Sequence, residues 1–120
     1  MREIYKIVRE AQQAALALCK PGEKIGTIDL AARELIGRHG YAKEFMHGLG
    51  HGVGLQIHEL PVVRSVAPYD QVVLEEGMVI TIEPGIYVAG LGGVRLEDTI
   101  VINAKGYENL TLRPFEPQLI

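Results

Sequence analysis

Three of the four histidines, His47, His51 and His58, fall within twelve residues, and two glutamates, Glu83 and Glu97, each stand in an otherwise apolar stretch. Imidazole nitrogens and carboxylate oxygens suit Mn, Co, Fe or Zn. Carboxylates that bridge two ions are the material of two-metal hydrolytic centres. A carboxylate in an apolar strand must face water or be compensated, because burying it alone is expensive. Taken singly, either glutamate reads as part of a solvated sheet face. The neighbours change that reading. Glu83 is followed at once by Pro84-Gly85, which fixes the backbone beside it, and Arg95 precedes Glu97 by two residues, so both share one strand face. The glycines among the histidines reduce bulk and leave room for a ligand or substrate. His39 is different: it closes a helical stretch, where its charge suits the helix C-terminus.

These residues need elements to position them. Ile4, Ile7, Val8, Ala11, Ala15 and Leu18 recur at helical spacing, which predicts a helix from Arg2 to about Leu18, stopped by Pro21-Gly22. Thr27 is a candidate N-cap for a second helix from Ile28 to about Arg38, with Asp29 in its first turn and an apolar face of Leu30, Ala31, Leu35 and Ile36. Gly40 suits the left-handed position after it. Glycine at 48, 50, 52 and 54 is poor strand material and predicts a tight irregular path. Pro61 and Pro68 bracket another irregular stretch, and Glu75-Glu76-Gly77 reads as a turn. Met78 to Glu83 alternates as a strand and is broken by Pro84-Gly85. Val94 to Ile102 alternates as a second strand, with Leu96, Asp98, Ile100 and Ile102 opposite Arg95, Glu97, Thr99 and Val101. A turn at Lys105-Gly106 leads to a last strand over 107–112. The order predicts an α+β domain over residues 1–120, with two helices on one face of a curved antiparallel sheet and the polar residues on the other.

Composition narrows the function classes. The 120 residues make one domain at most, large enough to bury roughly two-thirds of its unfolded surface. Twelve basic against fifteen acidic residues argue against nonspecific nucleic-acid binding, which needs a basic stripe. No apolar run approaches the roughly 20 residues of a membrane span. Cys19 is the lone cysteine, so neither an internal disulfide nor a cysteine-based zinc site can form. No signal peptide is visible, and a cytoplasmic location is expected.

The run from His47 through Gly48-Leu49-Gly50-His51-Gly52-Val53-Gly54-Leu55 to His58-Glu59 and Pro61 resembles the histidine loop of creatinase-like, pita-bread metallopeptidases. Thr81-Ile82-Glu83-Pro84-Gly85-Ile86-Tyr87 is similar to their first glutamate strand, and Gly93-Val94-Arg95-Leu96-Glu97-Asp98 to their second. The resemblance implies the C-terminal part of a pita-bread catalytic domain and hydrolysis of Xaa-Pro peptide bonds with two divalent ions, Mn, Co or Zn. It makes His51, Glu83 and Glu97 metal ligands, with Glu83 also beside the attacking water and Glu97 bridging the ions. His58 would stabilise the oxyanion, His47 would contact substrate at the edge of the site, Arg95 would hold the carboxylates, and Tyr87 would form part of the wall. Glu83-Pro84-Gly85 and Arg95-Leu96-Glu97-Asp98 favour the Xaa-Pro dipeptidase or aminopeptidase branch over the methionine aminopeptidases.

The family's ligand set also has two aspartates on strands before the helix that corresponds to Arg2–Leu18, and Asp29, Asp70 and Asp98 match neither. His51, Glu83 and Glu97 alone cannot fill two coordination spheres. The expectation is one weakly held ion or none, an isolated chain impaired in catalysis, and self-association or pairing with an N-terminal half. A noncatalytic peptide-binding module and a creatinase-like amidinohydrolase are the alternative readings.

Overall fold

A computed structural model describes residues 1–112; the last eight residues of the expected 1–120 domain lie outside the described part. Two helices, α1 (Arg2–Leu16) and α2 (Ile25–Arg38), are followed by a short 3-10 turn (Ala42–Glu44) and seven strands. These are β1 (Gly50–Gly52), β2 (Glu59–Val63), β3 (Val79–Ile82), β4 (Gly85–Val88), β5 (Gly92–Arg95), β6 (Asp98–Asn103) and β7 (Gly106–Asn109). One antiparallel sheet runs β2-β1-β3-β6-β7, and β4-β5 forms a separate two-stranded ladder. Two helices on an antiparallel sheet is the α+β arrangement that the sequence predicts. No helix of the described residues is long and apolar enough to cross a membrane.

The helix α1 buries Ile4, Ile7, Val8, Ala11, Gln12, Ala15 and Leu16. It stops two residues short of the expected end, and Leu16 takes the buried position assigned to Leu18, which is half-buried. The helix α2 starts three residues before the expected Ile28, with Lys24 rather than Thr27 at its N-cap position and no side-chain cap. Its buried stripe is Ile25, Ile28, Asp29, Ala32 and Ile36, whereas Leu30 is exposed. The apolar reading misplaced that stripe because a buried aspartate occupies it.

The expected strands also divide differently. Val94 to Ile102 is two strands, β5 and β6, in separate ladders. The stretch after Pro84, read as a break, is the strand β4. Ile82 faces Asp98, and three residues on, Gly85 faces Arg95 three residues back. Both ladders therefore share one hairpin register, interrupted over Glu83-Pro84 and Leu96-Glu97. Proline has no N–H to donate, so the ladder cannot run through it intact. Along β6 the side chains of Asp98, Ile100 and Ile102 are buried and those between them are not, the alternation of a one-sided strand. Pro61 lies in β2, an edge strand, where a missing donor is tolerated.

The glycine run, expected to be irregular, contains the strand β1 between β2 and β3. Glycine is required there by close approach. A Cβ on Gly50 would collide with the backbone oxygen of Thr81, and one on Gly52 with that of Leu60. Gly50→Ala is therefore expected to lose about 3 kcal/mol of stability in urea denaturation, as overpacking does in a tight site. Gly77→Ala, at φ 94° with open space around it, is expected to lose only about 1 kcal/mol from backbone strain.

Candidate metal centre

Each of the three central side chains enters from a different element. His51 is the middle residue of β1, Glu83 follows β3, and Glu97 stands between β5 and β6. In the shared hairpin register Glu83 and Glu97 face each other across the interruption. One ligand atom from each of His51, Glu83 and Glu97 lies within 4.8 Å of the other two. They line an open cleft of about 510 Å³ together with Val53, Ile57, His58, Thr81, Arg95 and Thr99.

The hydrogen bonds define what each atom can do. His51 Nδ1 lies 2.9 Å from Gly52 O, a carbonyl that can only accept. The ring therefore donates from Nδ1 and, when neutral, turns a lone pair on Nε2 toward Glu83 Oε2 at 3.3 Å. That carboxylate oxygen is buried and has no hydrogen-bond partner. Two facing lone pairs, one on an anion, are complementary to a cation, so the donor set fits a divalent ion. Backbone bonds hold this geometry: His51 N–H donates to Thr81 Oγ1 at 3.1 Å and Glu83 N–H to Leu49 O at 2.7 Å. The His58 ring lies against His51, with centroids 4.1 Å apart.

Burial pushes the Glu97 carboxyl above the ordinary range. The facing Glu83 adds to this through its charge and a hydrogen bond, while Arg95 and His51 pull the other way. Arg95 Nε lies 3.9 Å from Glu97 Oε2. The Arg95 guanidinium is raised further, first by its hydrogen bond with Tyr87.

His47 and Tyr87 are placed beside the cleft rather than in its lining. His47 Nδ1 donates to Gly48 O at 2.7 Å, and Nε2 meets the Tyr87 hydroxyl at 2.6 Å. Tyr87 thus links the histidine loop to Arg95. Its ring passes close to Gly85 and Gly93, where any Cβ would crowd it.

A profile of the metallopeptidase family M24 matches residues 1–104. The chain belongs to metallopeptidase family M24. Members of this family imply divalent metal ions. An Xaa-Pro dipeptidase of Pyrococcus furiosus is 56% identical over 110 residues, which is 92% of this chain and 31% of that protein. The solved prolidase from Pyrococcus furiosus superposes with a TM-score of 0.89 at 54% identity, covering 94% of this chain and 33% of that one. The X-Pro aminopeptidase structure from Thermotoga maritima gives 0.90 at 41% identity, covering 96% and 32%. The M24 chain described here therefore spans about a third of the length of these relatives, and its fold is that of the C-terminal part of pita-bread peptidases.

Sequence reading passed over the buried support of the M24 histidine loop. Asp29, fully buried, accepts two hydrogen bonds from Arg33 at 2.9 and 3.2 Å, one from Ser65 Oγ at 2.6 Å and one from Leu49 N–H at 3.0 Å. Arg33 also donates to the carbonyls of Phe45 at 3.1 Å and His47 at 2.7 Å, and its guanidinium covers the Phe45 ring. The available signal was the i, i+4 spacing of Asp29 and Arg33. Arg33→Met leaves Asp29 buried with its charge uncompensated and is expected to lose about 3 kcal/mol in denaturant unfolding. Arg33→Lys is expected to recover only part of that, because an ammonium cannot reproduce the forked contacts.

Proposed function

We propose that this chain supplies the His51, Glu83 and Glu97 face of a divalent-metal centre that hydrolyses the peptide bond preceding proline. The observation that carries this reading is the buried, unpartnered Glu83 Oε2 opposite His51 Nε2, with Glu97 beside them. The names of the relatives support the substrate class, an Xaa-Pro peptide. One imidazole and two carboxylates suit Mn, Co or Zn.

When bound, the ions supply Lewis acidity that polarises the scissile carbonyl and acidifies a water. Glu83 takes the proton of the attacking water and passes it toward the leaving proline nitrogen, work typically worth about 10²–10⁴-fold. His58, on the cleft wall, donates a hydrogen bond to the oxygen on which negative charge develops. Arg95 offsets part of the charge of Glu97 and, through Tyr87, holds His47 at the rim for contact with substrate.

Three donor side chains leave two ions short of ligands, so a single weakly held ion is the expected load of this chain alone. We propose that catalysis needs further donors from the remaining two-thirds of an M24 protein, or from another copy, docked against β2 or β7, the edge strands of the sheet among the described residues.

Proton and cation compete for Glu97. Its raised carboxyl pKa means that cation uptake weakens as the pH falls through that raised value, above the ordinary glutamate range. In the metal-free chain the sign reverses: stability from protonated Glu97 is present at acid pH and lost as the pH rises through the folded pKa. Thermal melting over a pH series, with and without Co²⁺, checks both. Wild type is expected to gain melting temperature with Co²⁺. Glu97→Gln is expected to melt higher than wild type at neutral pH without metal and to lose the Co²⁺ gain. For substrate, the chain mixed with the preceding two-thirds of the Pyrococcus relative is expected to cleave Ala-Pro but neither Ala-Ala nor creatine, with Glu83→Gln lowering turnover by about 10²–10⁴-fold. Equal cleavage of Ala-Ala, or hydrolysis of creatine, would overturn the proline reading.

A further inference from the structure

Gln12 lies in the buried face of α1, fully enclosed, one helical turn from Val8 and from Leu16. Its Nε2 is 3.2 Å from Ile82 O and 3.2 Å from Leu96 O. Those two carbonyls belong to the residues immediately before Glu83 and Glu97. The amide orientation follows from chemistry: with the group reversed, Oε1 would face two carbonyl oxygens, so the NH₂ must point at them.

The hairpin register explains why an amide is needed here. Pro84 faces Leu96 within the interruption, and Leu96 N–H donates to Pro84 O at 3.3 Å. In an antiparallel pair the return bond would run from the N–H of residue 84 to Leu96 O. Proline has no N–H, so Leu96 O loses its ladder donor. Gln12 supplies one from the helix, and with its second hydrogen it takes hold of the opposite strand at Ile82.

We propose that Gln12 is a positioning residue for the metal centre: its side-chain amide replaces the missing proline donor and fixes the backbone from which Glu83 and Glu97 face each other. It bonds to the backbone before each glutamate rather than to a glutamate side chain, and acts through the two strands. The consequence for cation binding rests on the proposed function above. The positioning itself does not.

Gln12→Met keeps length and bulk and removes both donors. Gln12→Glu is a second variant of the same shape; burial keeps its carboxyl protonated, so it offers at most one donor in place of two. Ile4→Ala, on the same buried face of α1 two turns away, serves as a control for plain loss of stability. Two measurements are made on the 120-residue chain: amide hydrogen exchange without metal, and Co²⁺ titration followed by visible absorption. The expected result is a loss of exchange protection at Glu83 and Leu96 of tenfold or more beyond that of the residues of β3 and β6. Co²⁺ affinity is expected to fall at least tenfold with an altered absorption band. Ile4→Ala lowers protection evenly and leaves the band unchanged. If both Gln12 variants lower protection only as evenly as Ile4→Ala does, the positioning role is overturned, whatever the metal does. If exchange responds as expected but wild type takes up no Co²⁺, Gln12 still fixes the backbone and it is the metal reading that fails.

Discussion

Two carboxylates face each other across a hairpin, and the rest of the molecule is arranged around holding them there. Like charges opposed on paired strands destabilise a sheet. Glu83 and Glu97 are in that relation, and the raised carboxyl of Glu97 records it, with burial as the larger cause. Such a pair separates unless its backbone is over-determined. Here the strand β3 lies between β1 and β6, its tail at Glu83 is tied to Leu49 O, and the hydrophobic core closes behind it at Ile80, Ile82 and Ile100. Arg95 compensates the charge in part, from β5.

The helices contribute more than apolar cover. Each sends one buried polar group toward the strands. From α1, Gln12 reaches the carbonyls preceding both glutamates. From α2, Asp29 takes the Leu49 amide while Arg33 holds the carbonyls of Phe45 and His47. The two supports meet at Leu49, whose N–H is bound to Asp29 and whose carbonyl accepts the Glu83 N–H. A shift of α2 is thereby transmitted to both the histidine loop and the first glutamate. Buried polar groups are costly unless satisfied, and they define a single arrangement where apolar contacts alone tolerate sliding.

The parts legible in the sequence were those where one residue type speaks for itself. Alternation along 98–103 and the helical spacing of Ile4 to Ala15 follow directly from strand and helix periods, and the histidines and glutamates stand out by type. What escaped the sequence depends on partners distant along the chain. Gln12 sits seventy residues from Ile82 and breaks the apolar pattern of α1 without announcing a reason. Asp29 looked like a first-turn acid because its distant partners, Ser65 and Leu49, lie in segments with no regular period. Glycine at every second position argued against a strand on intrinsic preference, yet β1 needs those glycines because neighbouring backbone presses against it. Pro84 was read as an end, whereas the hairpin resumes beyond it in the same register.

Satisfaction, rather than burial, separates the supporting carboxylate from the one proposed to react. Asp29 is fully buried, and its two oxygens receive four hydrogen bonds, from Arg33 twice, Ser65 and Leu49. An anion so enclosed has no lone pair left for another ligand, and its charge is used up in fixing the loop. Glu83 is less buried, yet its Oε2 receives no hydrogen bond and faces an imidazole nitrogen. A fold that can place four donors around one carboxylate has the means to place one near the other. That it aims a second ligand-type atom there instead, with Glu97 beside it, is what supports the proposal that these three side chains hold a cation.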